Sequence, residues 1–280
     1  MYKRAPLCQP SSNPPSLMAD YGGGGADFLA LYSSCSDNDP FLLAVVGRYC
    51  LWGSENPFDL VVEASAKFST SPFSSHTNVG VVDQLKSTLT DEQLRLSRNT
   101  YFGYFLEMPR LTVHNQMIKF LICRELNQDN PDLFYVKINK NTLCFGLREF
   151  SIVTGLRCIG DVKHEDCYRG FNRLKEAFFP GRNRVSMDDL ISCFEQKEWQ
   201  SDGDAVRISL LYFIYTFLFS TMNCRSYISN GDFHLIESGK FELFPWGKVV
   251  FTILIDSVKD KLRKVNKFYR FGGLPLALQI

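Results

Sequence analysis

The segment Phe134–Gly155, FYVKINKNTLCFGLREFSIVTG, constrains the fold more than any other part of this chain. Phe134, Val136 and Ile138 stand two apart and share one face of an extended strand, while Tyr135 and Lys137 take the other. Asn139 and Asn141 tolerate positive φ and suit a tight reversal. Leu143 and Phe145 resume the alternation, so the pattern predicts a β-hairpin of Phe134–Ile138 with Thr142–Phe145. Gly146 is placed to N-cap a short helix, with Leu147, Phe150 and Val153 at helical spacing. Gly155 suits the left-handed position that closes it. Apolar side chains at these spacings predict burial and carry no catalytic constellation.

Helical signals surround the hairpin. Thr90 and Gln93 form a capping box, as do Ser186 and Asp189. A helix is expected across Asn115–Leu126, ended by Asn130-Pro131. Another spans Phe171–Phe179, stopped at Pro180-Gly181. Met187, Leu190, Ile191 and Phe194 define one apolar face. Asp204 is placed to cap an apolar helix running through Phe219, and Pro245 to occupy the first position of the next helix. Trp246, Val250, Leu254, Val258 and Leu262 then form its stripe. The expected core includes Leu147, Phe150, Val153, Leu211, Phe217, Trp246, Val250 and Leu254. The fold class is mainly α, a single helical domain whose only sheet is the hairpin.

Residues 1–40 are rich in Ser, Pro and Gly and cannot bury enough apolar surface to offset their ordering entropy, so a disordered segment is expected there. Residues 41–80 read as a poorly ordered or partly helical lead-in, and 81–280 as the helical domain. The 45% hydrophobic content and 24 Phe are ample for its core.

The motifs bring a resemblance. Leu147-Arg148-Glu149-Phe150 with Val153-Thr154-Gly155-Leu156 resembles a plant domain family of unknown function, found in transposon-derived genes and often N-terminal to a SUMO-protease (ubiquitin-like protease) domain. Cys144-Phe145-Gly146 stands where that family usually has Arg-Phe-Ser. Val113–Leu126, Asp204–Phe219, Phe244-Pro245-Trp246-Gly247-Lys248 and Gly273–Gln279 resemble its other elements. The pattern is also similar, at motif level, to the aminotransferase-like plant mobile domain, whose name implies no aminotransferase chemistry. The resemblance implies a non-catalytic protein-interaction module with an unidentified protein partner, and SUMO-protease association by family context.

Enzyme chemistry finds no foothold in the residues. A cysteine protease needs a thiolate, a His base and an orienting acid. No His precedes a Trp here, and Asp166-Cys167 is followed by Tyr168. Cys158, His164 and Cys167 share a loop, with Cys144 nearby, but lack the Cys-x₂₋₄-Cys spacing of zinc sites. Gly22–Gly25 lacks the Gly-Lys-Ser/Thr of a phosphate loop. Catalytic, metal-binding and cofactor-binding residues are therefore none, and no cofactor is expected.

Net charge is +1, so no whole-chain field points to nucleic acid or membrane. The C-terminal stretch is uneven, with seven basic against two acidic residues from Pro245 onward. Lys259, Lys261, Arg263, Lys264, Lys267 and Arg270, interleaved with Phe268, Tyr269 and Phe271, are the candidate nucleic-acid contacts of the alternative reading, a nucleic-acid-binding accessory domain. Nine scattered Cys and the lack of an apolar leader predict reduced thiols inside the cell, with the nucleus favoured over the cytoplasm. The most apolar stretch, Ile208–Phe219, is too short to span a membrane, for which about 20 residues are needed. Oligomeric state has no sequence signal.

Overall fold

A computed structural model describes residues 73–75, 77–160, 171–220, 227–259 and 269–279. Helices dominate. In chain order they are α1 Val81–Thr88, α2 Asp91–Arg98, α3 Asn115–Ile122, α4 Leu147–Thr154, α5 Arg173–Phe178, α6 Met187–Gln196, α7 Asp202–Phe213, α8 Asn230–Glu237 and α9 Trp246–Val258. The strands are β1 Phe73–Ser75, β2 Phe134–Ile138, β3 Asn141–Phe145, β4 Val185–Ser186, β5 Tyr227–Ile228 and β6 Tyr269–Phe271.

The centre of the fold is α7. Its sequence is apolar on every side from Ile208 onward, and a helix of that kind is stable only when surrounded by protein. Every residue from Ile208 to Ser220 is buried. α2, α6 and α8 pack around it. Phe102 and Phe105 set their rings 5.6 and 5.1 Å from that of Phe213. α7 then widens into a π-helical stretch, Ile214–Phe219, against α9. Such stretches leave backbone carbonyls outside the ordinary ladder. Here distant chain satisfies them. The Asn78 N–H donates to Thr216 O at 3.0 Å, and the Gly273 N–H to Phe219 O at 2.7 Å. Ser220 turns the chain out at φ 50.

These two donors tie both ends of the described chain to the core helix. β1 and β6 flank them and pair in parallel, Phe73 with Tyr269 through Ser75 with Phe271. β4 and β5 form a further antiparallel pair. The hairpin β2–β3 is therefore one of three two-stranded sheets among the described residues, and the expectation that it is the only one is corrected. The extra strands are two or three residues long, with partners remote in sequence, so neither alternation nor a turn betrays them. β1 lies in the segment 41–80. The segment 1–40 lies outside the described residues.

The expected hairpin forms, with Phe134 opposite Phe145 and Ile138 opposite Asn141, one residue before the expected start of the second strand. Asn139 carries the positive φ of 56, and Asn141 already belongs to the strand. Phe134 and Val136 are buried. Gly146 N-caps α4 with no side-chain acceptor of its own, and Glu149 reaches back to accept from the Gly146 N–H at 3.0 Å. Gly155 closes α4 at φ 68.

Of the expected core, Phe150, Leu211, Phe217, Trp246, Val250 and Leu254 are fully buried. Leu147 and Val153 are only half-buried, because α4 lies on the surface and Ile152 points into solvent at 62% exposure. Val258 completes the α9 stripe, while Leu262 lies outside the described residues. α3 ends at Ile122, four residues before the expected end. The next residues join the hairpin instead: Glu125 bridges Val136, and the Leu126 N–H donates to Tyr135 O at 2.8 Å.

Both capping boxes form. Thr90 Oγ1 accepts from the Gln93 N–H at 3.3 Å, and Gln93 Oε1 from the Thr90 N–H at 3.1 Å. Ser186 and Asp189 exchange the same pair at 3.1 and 3.0 Å. Thr90→Ala is expected to lose about 1 kcal/mol, read as a lower urea midpoint at unchanged slope. Two caps differ from expectation. Ser201, not Asp204, caps α7, its Oγ accepting from the Asp204 N–H at 3.1 Å. That frees the Asp204 carboxylate for an ion pair. Pro245 sits at the N-cap, so Trp246 is the first helical residue of α9.

Candidate functional site

Two of the six basic residues expected to contact nucleic acid are described. Lys259 follows α9 and its ammonium donates to Asn130 O at 2.6 Å. Arg270 is exposed on β6. Lys261, Arg263, Lys264 and Lys267 lie outside the described residues.

The Phe244–Gly247 run is the best-defined junction in the fold. Phe244, Pro245, Trp246 and Gly247 are all buried. The Trp246 indole N–H donates to Phe241 O at 2.9 Å. The Gly247 N–H donates to Arg157 O at 2.8 Å, docking the chain that leaves α4 onto the start of α9. A Cβ at Gly247 would lie 2.5 Å from Cys158 Sγ and 2.8 Å from Arg157 O, so only glycine admits this approach. Tyr101 bridges the two segments. Its N–H donates to Glu242 Oε2 at 2.8 Å, and its phenol oxygen accepts from the Arg157 N–H. The Tyr104 hydroxyl donates to Thr154 O at 3.0 Å.

Burial shifts the titratable groups at this junction toward their protonated forms. Burial pushes the Tyr104 phenol well above its ordinary value and raises that of Tyr101. It also raises the Glu242 carboxyl, against the opposing pull of the Tyr101 N–H. The Cys158 thiol is raised by burial too. Cys123 is raised for the same reason, and Cys193 is pushed up to about 12. A nucleophilic cysteine requires the opposite, a stabilised thiolate. Cys167 and His164 lie outside the described residues, and among the described residues no three His, Cys, Asp or Glu side chains gather as a metal site.

Large apolar side chains are exposed close to the junction in sequence. A Cβ at Gly160 would lie 3.3 Å from the Pro245 ring. Ile159 immediately precedes Gly160 and is 89% exposed, while Leu243, two residues before Pro245, is 69% exposed. Both are close in sequence to the residues that make this contact. Phe171 is also largely exposed.

A cleft of about 390 Å³ opens between α2, α7 and α8. Leu96, Val206, Leu210, Ile236 and Phe241 give it apolar walls, and Arg207 and Glu237 lie at its polar edge. An ion-pair network fixes that edge. Arg173 binds Asp204 through Nη2 and Nη1 at 2.6 and 3.2 Å and Glu237 through Nε at 3.0 Å. Arg207 Nη1 adds a bond to Asp204 Oδ1 at 3.1 Å. The hydrogen bonds from Arg173 hold the Asp204 carboxyl below its usual range. Sequence reasoning missed the cleft, since its walls come from three helices whose apolar faces each read as ordinary core.

Residues 122–257 match the family model of a domain of unknown function (DUF1985). The matched stretch takes in the hairpin, the core helix and the Pro-Trp-Gly junction. No curated protein and no solved structure matches the chain.

Proposed function

We propose that this chain is a non-catalytic protein-interaction module that docks a partner over the apolar rim of the Pro245 junction. The observation that carries the reading is the exposure of Ile159 and Leu243, 89% and 69%, one and two residues along the chain from the Gly160–Pro245 contact. Large exposed apolar side chains favour burial against another molecule. The upward shifts that burial imposes on Glu242, Tyr101, Tyr104 and Cys158 are consistent with a packing role for the junction. An origin in a transposon-derived plant gene, association with a SUMO protease and a nuclear location belong to this reading through the motif resemblance.

The test is recovery from plant nuclear extract with the full chain as bait, with and without nuclease. Wild type is expected to retain a protein that resists nuclease. The double variant Ile159→Asp, Leu243→Asp should lose it while melting as wild type does, because exposed positions contribute little to stability. Equal recovery by both baits would reject the docking surface. Recovery abolished by nuclease would instead support the basic run as a nucleic-acid contact.

A further inference from the structure

The cleft between α2, α7 and α8 combines two features whose pairing narrows its ligand. Its walls are largely apolar, and it forms an open groove of about 390 Å³. Its edge carries one donor and one acceptor with capacity to spare. Arg207 uses Nη1 on Asp204, and its Nε and Nη2 have no partner among the described residues. Glu237 uses Oε1 on Arg173, and its Oε2 has none among them either. The four charges of the network, Arg173, Arg207, Asp204 and Glu237, balance.

A ligand entering here thus meets an unused cationic donor and an unused anionic acceptor at one edge of an apolar hollow. A free carboxylate would be attracted by Arg207 and repelled by Glu237. An ammonium would meet the reverse. A neutral amide satisfies both, since its carbonyl accepts from a guanidinium N–H and its N–H donates to a carboxylate oxygen. The group that joins an amide directly to an apolar body is a peptide unit with its side chain.

We propose that this cleft receives one apolar side chain of an extended peptide segment from a partner protein, with the flanking main-chain amides bonded by Arg207 and Glu237. The inference deepens the interaction-module reading and rests on it for the identity of the peptide's source. The cleft lies beside the Pro245 rim in the chain, since Phe241 in its wall is two residues from Leu243.

Gly203 supplies the means of testing it. Gly203 lines the cleft near the start of α7. A Cβ there would meet only Arg207 Nη1, at 3.3 Å, the far end of a long side chain that also bonds Asp204 and can give by a few tenths of an ångström. Gly203→Leu should therefore fill the cleft without disturbing the fold, and leucine suits a helix better than glycine.

The probe is N-acetyl-leucine methylamide, titrated into the isotope-labelled full chain and followed by amide chemical shifts. A ligand of about 13 non-hydrogen atoms at drug-like efficiency should bind with a Kd of roughly 1 mM. Shifts should concentrate on residues lining the cleft. N-acetyl-leucine, with its free carboxylate, and leucine methylamide, with its ammonium, should each bind about tenfold more weakly, the loss expected for one charge-assisted hydrogen bond. Gly203→Leu should abolish the shifts while melting at or above the wild-type temperature. Arg207→Met keeps the aliphatic stem, removes the donor and should weaken the diamide about tenfold. If Gly203→Leu folds poorly, Arg207→Met alone decides.

Equal affinity for the neutral, anionic and cationic probes would overturn the proposal, as would shifts unchanged in Gly203→Leu or no shifts at the cleft at ten times the expected Kd. If these results fail while Ile159→Asp, Leu243→Asp still abolishes capture from extract, the cleft assignment falls and the interaction module stands. If the probe binds as described while capture is unaffected by the double variant, the Pro245 rim falls and the cleft stands.

Discussion

Trp246→Ala is expected to destabilise the fold by about 3–5 kcal/mol, the range for removing a large buried aromatic ring. Trp246 is completely buried at the start of α9. Its ring packs 4.7 Å from Phe244, 6.0 Å from Phe102 and 6.1 Å from Phe219, so its loss leaves a void bordered by the core helix. The surroundings cannot collapse freely into that void. Phe219 is fixed by the Gly273 N–H on its carbonyl, and the neighbouring Gly247 is fixed by Arg157 O. The indole N–H bond to Phe241 O would also vanish. Trp246→Phe keeps most of the ring and loses the hydrogen bond, so its cost should fall to about 1–3 kcal/mol. Urea titration of the three proteins, compared by midpoint and slope, checks the order. A Trp246→Ala protein as stable as wild type would mean the junction is not part of the core.

This reading assigns the Pro-Trp-Gly motif to packing. Pro245 caps α9, Trp246 fills the core and Gly247 admits the chain leaving α4. The Leu-Arg-Glu-Phe element divides the same way. Phe150 is fully buried, and Glu149 bonds the Gly146 N–H. The residues of these two motifs thus specify architecture, while the proposed contacts Ile159, Leu243, Arg207 and Glu237 lie outside them.

What the sequence revealed was local. The hairpin declares itself because Phe134, Val136 and Ile138 alternate and Asn139 can turn, and all of that information lies within a dozen residues. The Thr90–Gln93 box spans four residues and is equally legible. The π-helical stretch is different. Ile214–Phe219 reads as continuous apolar helix, and what sustains its altered ladder is the Asn78 and Gly273 N–H groups, more than 50 residues away on either side. The β1–β6 pair depends on contact between residues 73 and 269, which no local periodicity encodes. Asp204 could be read as a cap because Asp is a good one, yet Ser201 stands three residues earlier and takes that role. The Asp204 carboxylate then pairs with Arg173, a partner supplied by tertiary structure. Surface exposure of Ile159 and Leu243 was illegible for the same reason, since the identity of an apolar residue does not say whether a neighbour covers it.

The Gly273 turn should be nearly as sensitive as Trp246, with Gly273→Ala costing about 2–5 kcal/mol. Two effects add. Gly273 has φ +70, where an L side chain costs about 1–2 kcal/mol. A Cβ would also lie 2.6 Å from Leu254 N, 2.7 Å from Leu254 Cβ and 2.7 Å from Val250 O. Two of these atoms are α9 backbone and cannot rotate aside, so the turn that follows β6 or the helix itself must shift. Overpacking of that kind adds about 1–3 kcal/mol. Any shift pulls on the Gly273 N–H, which satisfies the π-helical carbonyl of Phe219. Gly181 separates the two contributions. It has nearly the same φ, +69, and a Cβ there would meet nothing within 4 Å. Gly181→Ala should therefore show the conformational cost alone, about 1–2 kcal/mol. The excess in Gly273→Ala measures the close approach to α9, read from urea midpoints of both variants at equal slope. Equal losses in the two would show that β6 is not held against α9 as described.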